Sequence, residues 1–428
     1  MKPGARVASS IELLEQLDGV WGRGKRVAAD GMLQKYFRAR RFIGSKDRTE
    51  ISRVVYGVLR RGSALGWWLD RSGREHGSRG LVLGGLVFLD GLDLAQIERL
   101  FDGEQYCPVA LEDAESEWVR RHAGLELLHE EMPTAVRCEF PDWMGDALAE
   151  TFGDELEAAM GGLNAEAPVD LRVNVLKATR EDVLAELHGA GMTVEPTPLS
   201  EVGVRLGKRG PLQSTRAFKE GWVEVQDEGS QLAAQLVRAG GGELVIDFCA
   251  GAGGKTLALA AAMGNEGRIL AWDVNRPRLS QLGARLKRAG VAMVLAHKLK
   301  SARDPFLQRH HDTADWVLVD APCTGTGSWR RSPDLKWRTS PTDLAAAVER
   351  QRSILAAATP CVKPDGRLVY VTCSVLMDEN ERQVEWLLKE QPGFAVEPVA
   401  EGEKFLRLWP HRNGTDGFFG AVLRRAGV

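Results

Sequence analysis

Short apolar segments alternate with helical segments from about residue 243 onward, and this alternation restricts the fold more than any other feature. The apolar segments have the length and composition of buried strands: ELVIDF, RILAWD, VAMVLA, DWVLVD and GRLVYVTC. Helical segments such as KTLALAAAM separate most of them, and GFFGAVLRR is predicted as the last strand. This pattern predicts a mainly parallel sheet with helices on both faces, that is, an α/β fold.

Reactive and charged side chains stand at the carboxyl ends of these predicted strands. They are Asp247, Asp273, Asp320 and Cys373. Ligands of open α/β sheets bind at this edge, and packing does not explain four such groups collected there. We therefore expect the functional site at the carboxyl edge of the sheet.

A glycine-rich turn, DFCAGAGGKT at 247–256, follows the first strand and opens a helix. Glycines let backbone N–H groups approach a ligand closely, since they carry no Cβ. The ending GGKT resembles a P-loop, but Cys249 occupies the position of the first P-loop glycine, so a P-loop NTPase is not favoured. A class I methyltransferase turn fits better. In that interpretation Asp273, 22 residues beyond Gly251, binds the ribose hydroxyls of S-adenosylmethionine.

Two cysteines lie beside this predicted cofactor site, Cys323 and Cys373. A thiolate that adds to carbon 6 of a pyrimidine makes carbon 5 able to attack a methyl sulfonium, which is covalent catalysis. Either cysteine is a candidate for that thiol, and Asp320 can hydrogen-bond the N3 and N4 edge of a cytosine. The remaining cysteines outside the turn are interpreted as packing residues: Cys107, Cys138 and Cys361.

Several motifs resemble those of the RNA 5-methylcytosine methyltransferases of the RsmB/NOP2/Sun family. DAPCTGTGSWRRSPDLKWR and YVTCSVLMDENE resemble motifs IV and VI, and EVQDEGSQLAA and GTDGFFGAVL also match the family. The resemblance covers roughly residues 165–428. The N-terminal stretch with GSKDRTEISRVVYGVLRR is similar to the NusB-like helical RNA-binding domain of the bacterial RsmB branch.

The resemblance assigns roles that the chemistry alone leaves open. It implies that Cys373 is the nucleophile at carbon 6 and that Cys323 helps to eliminate the enzyme from the methylated base. It implies that Asp320 binds the base edge near the methionine end of the cofactor. Lys255 is expected to organise the site and is our candidate for stabilising the Cys373 thiolate. The expected cofactor-binding residues are Cys249, Ala250, Gly251, Ala252, Gly253, Gly254, Lys255, Asp273 and Asp320.

Pattern and resemblance together predict three domains. They are an all-helical NusB-like RNA-binding domain at 1–135, a small α+β RNA-binding subdomain at 136–235, and a class I (Rossmann-like) methyltransferase domain at 236–428. Two departures from the family stand out. Gly251 and Ala252 replace the Ala-Pro of the usual CAAPGGKT, and LAHKLKSARDP has no acid at the position expected to bind adenine. Asp304 and Lys298 are the alternatives for that contact.

The charge distribution points to RNA. The net charge is −3, but 20–61 holds 12 basic against 3 acidic residues, whereas 102–157 holds 3 basic against 16 acidic ones. A segregated basic segment can bind phosphates. A second RNA contact is predicted in the loop after Cys323, where Trp329 and Trp337 could stack on bases and the cations contact phosphates: Arg330, Arg331, Lys336 and Arg338.

Composition limits the remaining possibilities. No apolar run reaches the roughly 18 residues of a membrane helix, and no secretion signal is evident, so a cytoplasmic monomer with reduced cysteines is the default expectation. No CxxC pair suggests a metal site. A target cytosine in 16S rRNA is favoured. The alternatives are a tRNA cytosine-5 methyltransferase, a non-catalytic RNA-binding assembly factor, and an adenine amino-methyltransferase, which would leave both cysteines unexplained.

Overall fold

The computed structural model describes residues 1–73, 77–208 and 210–427, and it divides into two compact units. The first unit contains Met1–Asn164 together with Trp329–Ser340. The second contains Ala165–Ser328 and Pro341–Val428. The chain therefore leaves the second unit shortly after Cys323 and returns to it twelve residues later.

The first unit is helical, as predicted for the N-terminal region. Its helices in 1–164 are α1 (Pro3–Trp21), α2 (Ala29–Ala39), α3 (Ser45–Asp70), α4 (Ser78–Phe88), α5 (Leu94–Glu98), α6 (Asp113–His122), α7 (Thr134–Arg137), α8 (Gly145–Phe152) and α9 (Leu156–Asn164). Apolar side chains at helical spacing on α3, such as Ile51, Val55 and Val58, are buried in its core. The compact helical unit continues past the predicted boundary at 135 to Asn164. One reason is that the Asn164 amide donates to the Cys138 carbonyl at 2.8 Å.

The second unit begins with a small antiparallel sheet. Its strands are β1 (Val169–Val173), β2 (Val194–Pro196), β3 (Gly203–Leu206) and β4 (Val223–Val225), in the order β2-β3-β1-β4. The helices α10 (Arg180–Gly189) and α11 (Arg216–Lys219) accompany it. The predicted threonine cap is confirmed, since Thr179 forms a capping box with Asp182 at the start of α10.

The larger sheet of this unit is the predicted parallel one, with antiparallel strands added at one side. Its strands are β5 (Leu244–Asp247), β6 (Arg268–Asp273), β7 (Val294–Lys298), β8 (Ala314–Asp320), β9 (Val362–Thr372), β10 (Phe394–Glu397), β11 (Leu406–Leu408) and β12 (Phe418–Arg425). The order is β10-β12-β9-β8-β5-β6-β7, with β11 paired to β12. Strands β5 to β9 run parallel, whereas β12 is antiparallel to β9 and β10. The strand order reverses between β5 and β8, which is where such sheets bind ligands.

Helices connect these strands. They are α12 (Glu228–Gln235), α13 (Gly254–Ala262), α14 (Arg276–Leu279), α15 (Leu282–Ala289), α16 (Leu335–Arg338), α17 (Pro341–Ala358), α18 (Glu381–Glu390) and α19 (Pro410–Asn413). The single helix expected over RPRLSQLGARLKRAG is broken into α14 and α15. Strands β5, β6 and β8 are apolar at nearly every position and are buried between the helical layers. Of the helices in the described ranges, none combines the length and apolar character needed to span a bilayer.

Candidate active site

The two predicted catalytic cysteines lie next to each other. Cys323 follows β8 and Cys373 follows β9, and these strands are parallel neighbours with Asp320 opposite Val371. The Sγ atoms of the two cysteines are 3.4 Å apart, and both side chains are half-buried. Two thiols separated by 50 residues in sequence therefore face one small region at the carboxyl edge of the sheet.

The environment of Cys323 favours its protonated form. The hydrogen bond with Cys373 and burial raise the pKa of the Cys323 thiol well above its ordinary value. A protonated Cys323 can donate its S–H to the sulfur of Cys373.

Glu379, to which the sequence analysis gave no role, fixes the loop that carries Cys323. Its buried carboxylate accepts hydrogen bonds from the Thr324 amide at 2.8 Å and the Thr324 hydroxyl at 2.5 Å. Gln351 of α17 donates to the same carboxylate at 3.0 Å. Burial raises the pKa of Glu379 above its ordinary value. The only signal in the sequence is an acid six residues after Cys373, which does not reveal this contact.

Further hydrogen bonds join the two cysteine loops directly. The Thr326 hydroxyl is 3.0 Å from the Ser374 hydroxyl and accepts from the Val375 amide at 2.9 Å. The Gly327 amide donates to the Cys373 carbonyl at 3.0 Å. A Cβ on Gly327 would lie 2.2 Å from the Gly417 carbonyl oxygen, so this close approach requires glycine.

Lys255 and Asp320, both predicted site residues, form an ion pair. The Lys255 Nζ is 2.8 Å from the Asp320 Oδ2, and it lies 5.4 Å above the ring of Phe418. Lys255 is buried at the start of α13, whereas Asp320 is half-buried at the end of β8. The charged partner of Lys255 is thus Asp320, so its connection to the Cys373 thiolate remains a prediction.

The glycine-rich turn has the conformation that its glycines permit. Gly251 and Gly253 have φ values of +56° and +86°, in the left-handed region. The Asp273 Oδ2 accepts from the Gly251 amide at 2.7 Å, and its Oδ1 accepts from the Asn275 amide at 2.6 Å. Asp273 is therefore held against the turn, and its contact with the ribose hydroxyls of the cofactor stays a prediction.

Two arginines outside the turn bind its carbonyl groups, and sequence reasoning missed both. The Arg285 Nη1 donates to the Ala252 carbonyl at 2.7 Å, and the Arg172 Nη1 donates to the Gly254 carbonyl at 2.7 Å. Glu224 pairs with Arg285 at 2.9 Å. These contacts restrain a turn that lacks the stiffening proline usual in the family.

Asp247 adds a buried carboxyl group to the base of the turn. Its Oδ2 accepts from the Thr256 hydroxyl at 2.6 Å, whereas its Oδ1 is buried without a hydrogen-bond partner among the described residues. Burial raises its pKa to about 7. The hydroxyl and amino groups of S-adenosylmethionine are donors, and they match the acceptors Asp247, Asp273 and Asp320. The residues present therefore fit that cofactor.

Neither alternative for the adenine contact gains support. Asp304 accepts from the Lys300 amide at 2.8 Å and the Phe306 amide at 3.0 Å, and the first of these bonds is the main reason that its pKa is lowered. Its carboxylate thus caps a 3₁₀-helix at Pro305–His310. Lys298 lies opposite Asp273 in the register of the parallel strands β6 and β7.

The predicted RNA loop needs correction. Lys336 is buried, and its ammonium donates to the Arg60 carbonyl at 3.1 Å and to the Asn164 Oδ1 at 2.6 Å. Arg330 is also buried, and Arg338 is paired with Asp334 at 2.7 Å. The prediction that Lys336 and Arg330 contact phosphates is therefore wrong for this structure.

Trp329 and Trp337, the aromatic residues of this loop, are also held by contacts within the fold. Trp329 is fully buried, and the Trp337 indole donates to the Leu59 carbonyl at 2.7 Å.

Burial lowers the pKa of Lys336 and raises the pKa of Glu139, and the charge of each residue opposes the shift of the other. Of the four predicted RNA-binding cations, only Arg331 is exposed.

The raised pKa of Asp247 predicts a pH-dependent stability difference. A folded-state pKa near 7 against an ordinary value of 3.8 contributes stability that is complete below about pH 4 and is lost as pH rises through about 7. In urea titrations, we expect the unfolding free energy of Asp247→Asn minus that of wild type to increase as the pH is raised from about 4 to about 7. A difference that does not change with pH would contradict the assignment.

The arginine contacts predict a role in cofactor affinity. Arg285→Met keeps the aliphatic length but removes the hydrogen bond to the Ala252 carbonyl, and losing a charge-assisted bond costs about 1.5–3 kcal/mol. We expect S-adenosylmethionine to bind roughly ten times more weakly by calorimetry. The exposed Arg276, changed to Met, is the matched control. Equal affinities of the two variants would exclude this role for Arg285.

Comparison with known proteins agrees with this geometry. Residues 234–424 match the model of the 16S rRNA methyltransferase RsmB/F family, and residues 140–213 match the ferredoxin-like domain of RsmF/B-like methyltransferases. A probable ribosomal RNA small subunit methyltransferase B of Synechocystis is 31% identical, covering 94% of this chain and 95% of the relative. The corresponding Bacillus subtilis protein is 34% identical over 68% of each chain.

Solved structures share the fold. The protein PH0851 superposes with a TM-score of 0.77 at 24% identity, covering 99% of each chain. A methyltransferase homologue from Pyrococcus horikoshii has a TM-score of 0.60 at 27% identity, covering 68% of this chain and 97% of its own. The resemblance found in the motifs is thereby confirmed over nearly the whole length. The chain belongs to the RsmB/F family of S-adenosylmethionine-dependent rRNA methyltransferases.

Proposed function

We propose that the protein methylates carbon 5 of a cytosine in small-subunit ribosomal RNA. The observation that carries this proposal is the pair of thiols 3.4 Å apart beside the cofactor turn. Methylation of an amino group needs no thiol, so it would leave Cys323 and Cys373 without a function. The names of the relatives support ribosomal RNA as the substrate class.

Cys373 acts first in this mechanism. Its thiolate forms a bond to carbon 6 of the cytosine, and the electron pair of the C5–C6 double bond becomes available at carbon 5. The protonated Cys323, whose sulfur is 3.4 Å away, stabilises the thiolate by donating its S–H. Asp320, oriented by Lys255 at 2.8 Å, accepts from the exocyclic amino group of the base.

S-adenosylmethionine, when bound, supplies the methyl group as an electrophilic carbon attached to a sulfonium. The proton on carbon 5 must then leave, and the C5–C6 double bond re-forms as the bond between carbon 6 and the Cys373 sulfur breaks. Cys323 is placed for this elimination. To take that proton, Cys323 first loses its own to solvent, and the thiolate so formed acts as the base.

The two cysteines are predicted to fail in different ways. Cys373→Ala should form no adduct and no methylated product, because the first bond cannot form. Cys323→Ala should accumulate a protein–RNA adduct, since it removes one hydrogen bond to the attacking thiolate, which slows addition, but removes the group on which elimination depends. A denaturing gel with a labelled 16S rRNA fragment and S-adenosylmethionine measures both.

Cys107→Ala, at a half-buried cysteine of the helical unit, is the control and should behave as wild type. An adduct formed by Cys373→Ala, or normal turnover by Cys323→Ala, would contradict the assigned order of action.

The substrate is tested by bisulfite sequencing of total RNA from cells with and without the gene. Loss of one protected cytosine in 16S rRNA is the expected result. A lost tRNA position would transfer the same chemistry to tRNA. Survival of every protected cytosine, together with no transfer by the purified protein, would favour the non-catalytic RNA-binding alternative.

A further inference from the structure

An exposed phenylalanine stands in the most basic segment of the helical unit. Phe42, in the loop between α2 and α3, exposes 77% of its surface. The next residue, Ile43, is 1% exposed and belongs to the core of the unit. The loop is therefore anchored by Ile43, while the adjacent aromatic ring is presented to solvent.

Residues near Phe42 in the sequence line a pocket, and three of them are arginines. The pocket is lined by Gln34, Phe37, Arg38, Arg41 and Arg48. The Arg48 Nε donates to the Ile43 carbonyl at 2.8 Å, and its guanidinium lies 5.7 Å from the centre of the Phe37 ring. Arg48 thus ties the pocket to the loop that carries Phe42.

The positive charge of this surface is neutralised only in part, since Arg40 pairs with Glu12 at 2.6 Å. Residues 34–48 contain six basic residues and one acid, Asp47. Asp47 binds the N-terminal amine at 3.1 Å and Arg6 at 2.8 Å, so it does not offset the pocket. Neither Arg38 nor Arg41 forms an ion pair with a described side chain, and none of the described lining residues is acidic.

We propose that Phe42 and this pocket form a binding site for an unpaired stretch of RNA. The site rests on the proposed function only in taking RNA as the ligand class. Arg38 and Arg41 contact phosphates, and the Phe42 ring stacks on a base. A solvated basic face would explain the arginines, but it would not explain an exposed phenyl ring among them. Stacking platforms combined with cationic grooves are the usual means of holding single strands.

The test uses the full-length protein without S-adenosylmethionine, so binding is measured independently of methyl transfer. The probes are a fluorescent 20-nucleotide single-stranded pyrimidine RNA and an RNA duplex of equal length. The variants are Phe42→Ala and the double variant Arg38→Glu/Arg41→Glu. Tyr106→Ala is the matched control, since Tyr106 is an equally exposed aromatic of the same unit at 77%.

Phe42→Ala should weaken binding of the single strand roughly fivefold or more and leave duplex binding unchanged, because only unpaired bases can stack. The double arginine variant should weaken binding of both probes and lower the salt dependence of single-strand binding by about 1.4 in logarithmic slope. Thermal unfolding and calorimetric S-adenosylmethionine binding confirm that each variant is folded.

Two results would overturn the site. One is Phe42→Ala binding the single strand as tightly as Tyr106→Ala does. The other is unchanged RNA affinity with altered self-association of Phe42→Ala in sedimentation, which would make the ring a protein contact. If methyl transfer is never detected but Phe42→Ala still loses single-strand affinity, the proposed reaction fails and this site stands.

Discussion

The parallel pairing of β8 with β9 is the constraint on which the proposed active site depends. Because Asp320 lies opposite Val371, the two strands end at the same level and their following loops meet. Side chains alternate along a strand, so a shift of one residue in this register would turn the thiol of Cys373 to the other face. The register is supported beyond the strands by Glu379, which holds the Thr324 loop from the far side of Cys373. The register of the sheet thus sets the distance between the two cysteines.

The cofactor turn illustrates how a lost local restraint is replaced by distant ones. A proline would limit the backbone of the turn from within. Here Arg172 of β1 and Arg285 of α15 bind two of its carbonyl groups instead. Because Arg172 comes from the small antiparallel sheet, the position of that sheet contributes directly to the shape of the turn. The subdomain therefore has a structural effect on the cofactor site, whatever its contact with RNA.

The sequence predicted the placement of those residues that follow from position on a strand. Asp273, Asp320 and Cys373 lie at one edge of the sheet because each ends or follows an apolar segment, and parallel strands bring such ends together. Arg172, Arg285 and Glu379 were missed because their roles depend on contacts 82, 33 and 55 residues away in the chain. No local pattern records such contacts.

Lys336 was misinterpreted for a related reason, since a basic loop with tryptophans has the composition of an RNA-binding loop. Its burial is set by Arg60 and Asn164. The sequence also did not reveal that the helical unit continues past 135 to Asn164, because this depends on contacts such as the bond from the Asn164 amide to the Cys138 carbonyl.

The excursion of Trp329–Ser340 into the helical unit has a consequence for the evolution and engineering of the chain. This segment begins six residues after Cys323, and its Lys336 ammonium is satisfied by groups at Arg60 and Asn164. Cutting the gene at residue 164 would separate this segment from the helices that bury it, so Trp329 and Lys336 would become exposed and Lys336 would lose both hydrogen-bond partners. The helical unit therefore cannot be exchanged or deleted as a separate module, because it completes the folding of a piece of the catalytic half of the sequence.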